Sequence, residues 1–396
     1  MQLLLVGDKM IHDNWNDING DDIKNVSDYM RNESLACIDG GVLKKFEDDF
    51  ACYIGTKYAV AYSSGTAAIY AAVYACDCGR GTNTILSEYS YFGAVYAVLE
   101  NQGIARLCPF DSETLNIDVA AIHKFIDSNT KAVLITHTWG NPCDMDKLNQ
   151  IKQQYDIKII SDASHAHGAE WRGKKIGNID CEDIACFSLG KGKLISGGEL
   201  GIAVTNNKIL YDKLLMLGHP NRIPNALIGN EFINYSNGFG IKLRPHTLSM
   251  VIARNQLKKY NRKARLNRET NMFLENEIDK IDGFKTIKKY EKASRVYWKL
   301  LIRIKKEYWK DWSVEEIVKR LKINGVDTEQ FHNYDFKYEN DISYNVRYLG
   351  QLDNCSNMMP PNDLIFLPTY IDVNKKEMEK IINAFKNVSY ERNFSI

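Results

Sequence analysis

Two lysines stand in a glycine-punctuated stretch, Phe187–Gly201 (FSLGKGKLISGGELG), that continues a short apolar run, Ile184–Ser188. An amine in a loop after a buried strand is a candidate for imine chemistry. Glycines let the backbone take positive φ and let a bulky ligand approach, and partial desolvation makes an ammonium lose its proton more easily. Upstream, the apolar run Ile159-Ile160-Ser161 ends in Asp162, followed by Ala163-Ser164-His165-Ala166-His167. A carboxylate there can keep a ring nitrogen protonated, although an aspartate ending a strand also serves as an ordinary turn former or cap. Earlier still, Ala59–Tyr62 leads into Ser63-Ser64-Gly65-Thr66 and an alanine-rich helix start. Amides in a helix's first turn, its dipole and nearby hydroxyls cradle a phosphate dianion, and a plain N-cap looks the same. Each signal alone is weak. Together they supply a phosphate cradle, an acid for a pyridine nitrogen and an amine for an aldehyde.

That chain order is the order of fold-type I pyridoxal phosphate (PLP) enzymes, and the sequence resembles the DegT/DnrJ/EryC1/StrS aminotransferases over nearly its whole length. The resemblance implies roles residue by residue. In the family pattern F-S-x-x-x-x-K with glutamate six residues on, counting from Phe187 and back from Glu199 both reach Lys193 as the cofactor-bonding residue. Lys191 becomes a solvated or phosphate-proximal neighbour, Ser188 a phosphate donor, and Leu200 stands where most relatives have glycine. Gly65 and Thr66 match the family's SGT phosphate contacts, and Asp162 its pyridine partner. His165 replaces the usual glutamine and would bond the cofactor's phenolic oxygen with a charge that varies with pH. In Tyr89-Ser90-Tyr91-Phe92-Gly93-Ala94, Tyr91 is taken as the ring that stacks on the cofactor; an alignment anchored on Gly103 would choose Phe92. His137-Thr138-Trp139-Gly140-Asn141-Pro142-Cys143-Asp144-Met145 is similar to the family's H-x-x-G-x-P-x-D-M turn, with His137 orienting its neighbours. Gly238–His246 resembles the G-x-N-x-R segment that reaches into the neighbouring subunit's site. There Lys242 takes the asparagine's place at the partner's phosphate, and Arg244 aligns with the family arginine.

The elements that must position these residues are legible from periodicity. Strands are expected at Tyr58–Tyr62, Thr84–Ser87, Lys131–His137, Ile159–Asp162 and Ile184–Ser188, with an alternating strand at Gly201–Thr205 and helices over Val42–Phe50 and from Gly65 to about Ala75. A long helix opening at Ala253–Tyr260 joins a large domain, 1–250, to a smaller α+β domain, 251–396, containing a strand Val296–Ile304, a capping-box helix Ser313–Ile323, Ile365–Pro368 and a helix Lys375–Phe385. Residues 219–237, with Pro220, Asn221, Pro224, Asn225 and Asn230, read as an irregular loop at the substrate entrance. The fold class is α/β, a mostly parallel sheet with cofactor loops at strand ends.

Composition narrows the function further. Lys+Arg 51 against Asp+Glu 50 leaves no field to attract nucleic acid, and no apolar run is long enough to span a bilayer. Met1–Gly7 is too short for a signal peptide, and nine scattered cysteines without paired CxxC spacing point to reduced thiols in the cytoplasm with no metal site. The resemblance implies a homodimer with shared sites, an aminotransferase using glutamate or glutamine as donor, and a nucleotide-linked keto sugar as acceptor. Amination of a free cyclitol or other small ketone is the nearest alternative, and a catalytically silent PLP-fold regulator the more distant one. Sugar 3-dehydratases of this fold carry histidine at the cofactor-bonding position, so Lys193 argues against that chemistry.

Overall fold

The computed structural model describes residues 18–222, 238–331, 350–354, 361–371 and 373–393. Pro224, Asn225, Asn230 and Met1–Gly7, which figured in the sequence reading, lie outside them. Nearly every residue of the central strands is buried, because helices cover both faces of the sheet. Alternate residues feed two separate cores. Val133, Ile135, Ile159, Ala185 and Phe187 pack with Leu43, Phe46, Leu148 and Met250. Ala132, Leu134, Ile160, Ile184 and Cys186 pack with Ala68, Ala72, Val95, Val98 and Leu214.

The strands of this sheet are β1 (Tyr58–Tyr62), β2 (Asn83–Ser87), β3 (Ile104–Cys108), β4 (Thr130–Thr136), β5 (Lys158–Asp162), β8 (Ile184–Ser188), β9 (Gly201–Thr205) and β14 (Gln351–Asn354). Their order is β1-β9-β8-β5-β4-β2-β3-β14, with β9 antiparallel to both its neighbours and the other pairs parallel. A small three-stranded sheet is built from β6 (Glu170–Trp171), β7 (Lys174–Lys175) and β11 (Ala293–Ser294). A third sheet, antiparallel, uses β10 (Phe284–Thr286), β12 (Leu300–Ile304), β15 (Leu364–Leu367) and β13 (Glu329–Gln330). It packs on the helices Val314–Ile323 and Lys375–Asn393 through Phe284, Ile302, Ile317, Leu321, Ile381 and Phe385.

The bridging helix, Thr247–Ile278, starts before the expected Ala253, capped by His246 Nδ1 accepting from Leu248 N at 3.2 Å. An expected boundary at 250 therefore falls inside this helix, and residues 351–354 return to the edge of the large sheet beside β3. Ser313 caps its helix by accepting from Glu316 N, but the Glu316 carboxylate turns to Arg320 at 2.7 Å and leaves the capping box half formed.

The expected strand Val296–Ile304 begins only at Leu300, because the backbone before it bonds elsewhere. Val296 N donates to Gly140 O at 3.2 Å, Tyr297 N to Asn267 Oδ1 at 2.9 Å, and Trp298 O accepts from Thr369 Oγ1. Fully buried Asn267 also donates to Tyr297 O and Tyr370 O, each at 3.0 Å, so one side chain on the bridging helix fixes the backbone on both sides. Asn267→Leu orphans two buried backbone groups, Tyr297 N and Tyr297 O, while Tyr370 O keeps Asn271, and is expected to destabilise the protein by roughly 2–4 kcal/mol. A denaturation midpoint shifted by less than 1 kcal/mol's worth, on the order of one ordinary hydrogen bond, would refute that account.

Candidate active site

The site forms where the carboxyl ends of parallel strands meet a helix N-terminus. Ser64 caps the helix Gly65–Ala75 by accepting from Ala67 N at 3.1 Å. Gly65 is pressed against the end of β8: a Cβ there would lie 2.6 Å from Ser188 Cβ and 3.1 Å from its Oγ. Only glycine lets the helix's first turn and the Ser188 hydroxyl come this close. Beside the same turn, the position of a Cβ on Gly93 lies 2.9 Å from Thr66 Oγ1 and 2.8 Å from the Tyr91 ring. Tyr91 thus shares a space with Thr66, while Phe92 packs along its own helix on Tyr96, with ring centroids 5.9 Å apart.

Asp162 ends β5 almost fully buried, its Oδ1 accepting from Ser164 N at 3.1 Å and its backbone oxygen from His137 N at 3.1 Å. His137 does more than stand nearby. Its Nδ1 accepts from Cys143 N at 3.1 Å, its Nε2 lies 3.7 Å from Glu182 Oε1, and so it braces the turn behind Asp162.

Lys193 follows Gly192, whose φ of +78° is left-handed, and its own amide donates to Gly190 O at 3.2 Å. Burial pulls the Lys193 amine down to about 8, and the Asp162 carboxylate works against that fall. Its Nζ lies 4.1 Å over the Trp298 ring. Lys191 is exposed. Leu200, unlike a glycine, is fully buried in the core and accepts from Leu189 N at 2.7 Å through its carbonyl, closing the lysine loop.

His165 departs from the expectation of a pH-dependent charge. Burial first, then the charge of Lys193 and then His167, hold it well below its ordinary value, so it stays neutral. Its ring stacks on Trp298 at 3.9 Å and 14°, and its buried Nδ1 has no hydrogen-bond partner among the described residues. His167 is likewise held down, to about 3, by burial and Lys193. Lys242 stands apart: it is exposed, and among the described residues no hydrogen bond or ion pair joins it to this cluster. Its neighbour Leu243 does reach the cradle, where Leu243 O accepts from Ser63 N at 2.7 Å. Arg244 donates to Pro220 O at 3.2 Å.

Two tryptophans missed in the sequence complete the site. Trp139 adopts a left-handed backbone, φ +56°, and its indole donates to Tyr89 Oη at 3.2 Å and lies parallel to Trp298 at 5.1 Å. Trp298 arrives from the segment before β12, its Nε1 donating to Gly192 O at 2.7 Å. Their one sequence signal was rarity, six tryptophans in the chain. Among the described residues no cluster of three or more His, Cys, Asp or Glu is arranged to hold a metal ion, and no helix is long and apolar enough to cross a membrane.

These groups fit PLP: a cradle for its phosphate, a buried carboxylate for its ring nitrogen, an unpartnered imidazole nitrogen beside them, and an amine of lowered basicity for its aldehyde. The chain is 28% identical over 386 residues to an uncharacterized protein of Methanocaldococcus jannaschii, covering 94% of this chain and 96% of that one. It is 33% identical over 208 residues to the GDP-perosamine synthase of Caulobacter vibrioides, covering 51% of this chain and about half, 54%, of that enzyme. Among solved structures it is similar in fold to 3-amino-5-hydroxybenzoic acid synthase, with a TM-score of 0.82, 20% identity, and coverage of 97% and 100% of the two chains. A profile of the DegT/DnrJ/EryC1/StrS aminotransferase family matches residues 16–386, and the chain belongs to that family of PLP-dependent aminotransferases.

Proposed function

We propose that this enzyme moves an amino group from glutamate or glutamine to a keto sugar, probed first as a nucleotide-linked one, with Lys193 as the proton-carrying residue. The observation that carries the reading is the gathering at the strand ends of buried Asp162, the Gly65 cradle and the Lys193 amine, packed over the Trp298 ring and brought down to about 8 by burial. A base whose basicity lies near the working pH can both take and return a proton. The similarity to a GDP-perosamine synthase supports the choice of acceptor.

PLP, when bound, accepts the electron pair released as the donor's Cα–H bond breaks. With PLP held there, Lys193 Nζ would be the group that takes the donor's Cα proton and returns it, and that runs the same relay in reverse for the acceptor. Asp162 keeps the proton on the ring nitrogen. Neutral His165 offers its unpartnered nitrogen to the phenolic oxygen without adding charge. Gly65, Thr66 and Ser188 hold the phosphate, and Tyr91 covers the ring face. In this reading Lys242 serves the partner's site in a homodimer. The apolar surface left exposed at Tyr91, Phe92, Phe239 and Ile241, 50%, 39%, 41% and 74% respectively, supports a covering second copy. The enzyme is taken to work in the cytoplasm, with residues 1–250 holding most of the cofactor site and most of the remainder, apart from the strand 351–354, forming the small domain.

Borohydride reduction of the loaded enzyme followed by peptide mass spectrometry is expected to leave the cofactor on Lys193; a tag on Lys191, or none, sinks the assignment. The aminated enzyme, prepared with glutamate or glutamine, should regain its starting spectrum with GDP- or dTDP-linked keto sugars and not with free cyclitol ketones. Recovery with the cyclitols alone would replace the acceptor class, and no spectral change with either donor would favour a silent regulator.

The pH dependence follows from the same balance. Reductive methylation of Lys193 by formaldehyde and cyanoborohydride needs the neutral amine, so its rate should rise through a midpoint near 8. Asp162→Asn removes the charge that favours the ammonium and should lower that midpoint by about one unit. A midpoint that rises in this variant contradicts the proposed coupling.

A further inference from the structure

Trp298 belongs to the part of the chain after the bridging helix, yet among the described residues the polar and aromatic contacts of its side chain fall on the lysine site. Its Nε1 donates to Gly192 O, the carbonyl immediately before Lys193, at 2.7 Å. Its ring lies 4.1 Å from Lys193 Nζ and stacks face on His165 at 3.9 Å. Trp139 lies parallel at 5.1 Å. None of this depends on the regular sheet: residues 296–298 leave the ladder to bond Gly140, Asn267 and Thr369, and that departure is what aims the indole.

An ammonium over an indole face is attracted by the ring quadrupole, more strongly when both are partly desolvated. A neutral amine gains much less. The indole therefore favours the protonated lysine, while its hydrogen bond to Gly192 fixes the loop that carries the lysine. We propose that Trp298 is a positioning residue: it holds the Lys193 ammonium between proton transfers and sets the register of the lysine loop. The inference rests on Lys193 being the proton carrier of the proposed reaction.

Among the described residues, the groups that act on Lys193 include Asp162, whose carboxylate favours the ammonium, and beside it lie His165 and His167, both held neutral. Loss of the indole face acts in the same direction as loss of Asp162. Loss of apolar cover acts in the opposite direction, since water stabilises the ammonium. Trp298→Leu separates the two, because leucine keeps apolar cover and removes the π face.

The test is the pH profile of Lys193 methylation in the full chain, together with kinetics of the loaded enzyme. Trp298→Leu should lower the midpoint by about half a unit, and Trp298→Phe, which keeps a face but not the N–H, by less. In the loaded enzyme Trp298→Leu should cut kcat at least tenfold while donor KM changes less than threefold, and Trp298→Phe should restore part of kcat. A midpoint that stays put or rises in Trp298→Leu, or a phenylalanine variant no better than the leucine one, overturns the proposal. If the leucine variant does not fold, the phenylalanine variant decides: a fall in midpoint sustains the inference and a rise ends it. Methylation is read without cofactor, so a borohydride tag missing from Lys193 would defeat the functional reading separately from this one.

Discussion

The site depends on how much water is kept from one amine. In bulk solvent a lysine is protonated far above neutrality and useless as a base. Here apolar surroundings lower its basicity, and the Asp162 carboxylate limits how far it falls. Asp162 is itself nearly fully buried, a costly position for a carboxylate that lacks partners. The Ser164 amide donates to it, and the charge of Lys193 is felt across the site. Two histidines at the same place would spoil this balance if charged. Burial keeps both neutral, so they shape the cavity without adding to its field.

Close backbone approach, more than side-chain contact, brings the pieces together. Thr136 on β4 pairs with Asp162 on β5, and Asp162 with Cys186 on β8, so Ser188 ends up a short step from the aspartate. β9 then pairs Gly201 with Ser188, which makes the lysine stretch the closed loop of an antiparallel hairpin. Any side chain at Gly201 would meet the Ser64 carbonyl at 2.1 Å, so that hairpin is seated on the turn that starts the phosphate cradle. Lysine loop, carboxylate and helix N-terminus are thus parts of one rigid strand-end assembly, as open α/β sheets favour for ligand sites.

What the sequence disclosed follows the range of the interactions concerned. Ile184–Ser188 is a strand as expected, because burial leaves an apolar run, and Gly201–Thr205 is the expected strand too, buried throughout where alternation was expected. Gly65, Thr66, Asp162 and Lys193 stood out since each sits within a few residues of its own punctuation. The neutrality of His165 was not legible, because it comes first from burial, to which Trp298 stacked on its ring contributes from more than a hundred positions away, and then from the charge of Lys193. The same holds for Val296–Lys299, an apolar-aromatic run that reads as a strand. Asn267, Gly140 and Thr369 claim its backbone groups first. Trp139 was hidden differently: its left-handed backbone is rare for a bulky residue and appears only where neighbours impose it.

Those three claims on residues 296–298 also bear on how the two parts of the chain communicate. Apolar contact alone would let the small domain slide on the large one, since such contact is non-directional. Hydrogen bonds from the bridging helix and from the turn at Gly140 are directional, and Gly140 leaves no room for adjustment: a Cβ there would lie 2.1 Å from Val296 O and 2.9 Å from His165 O. The carbonyls of His165 and Val296 therefore press on the same glycine. A displacement of the 296–298 segment must be felt at His165 and, through the indole bonded to Gly192, at the lysine loop as well. The position of the 296–298 segment and the environment of the Lys193 amine are thus tied together by the same contacts.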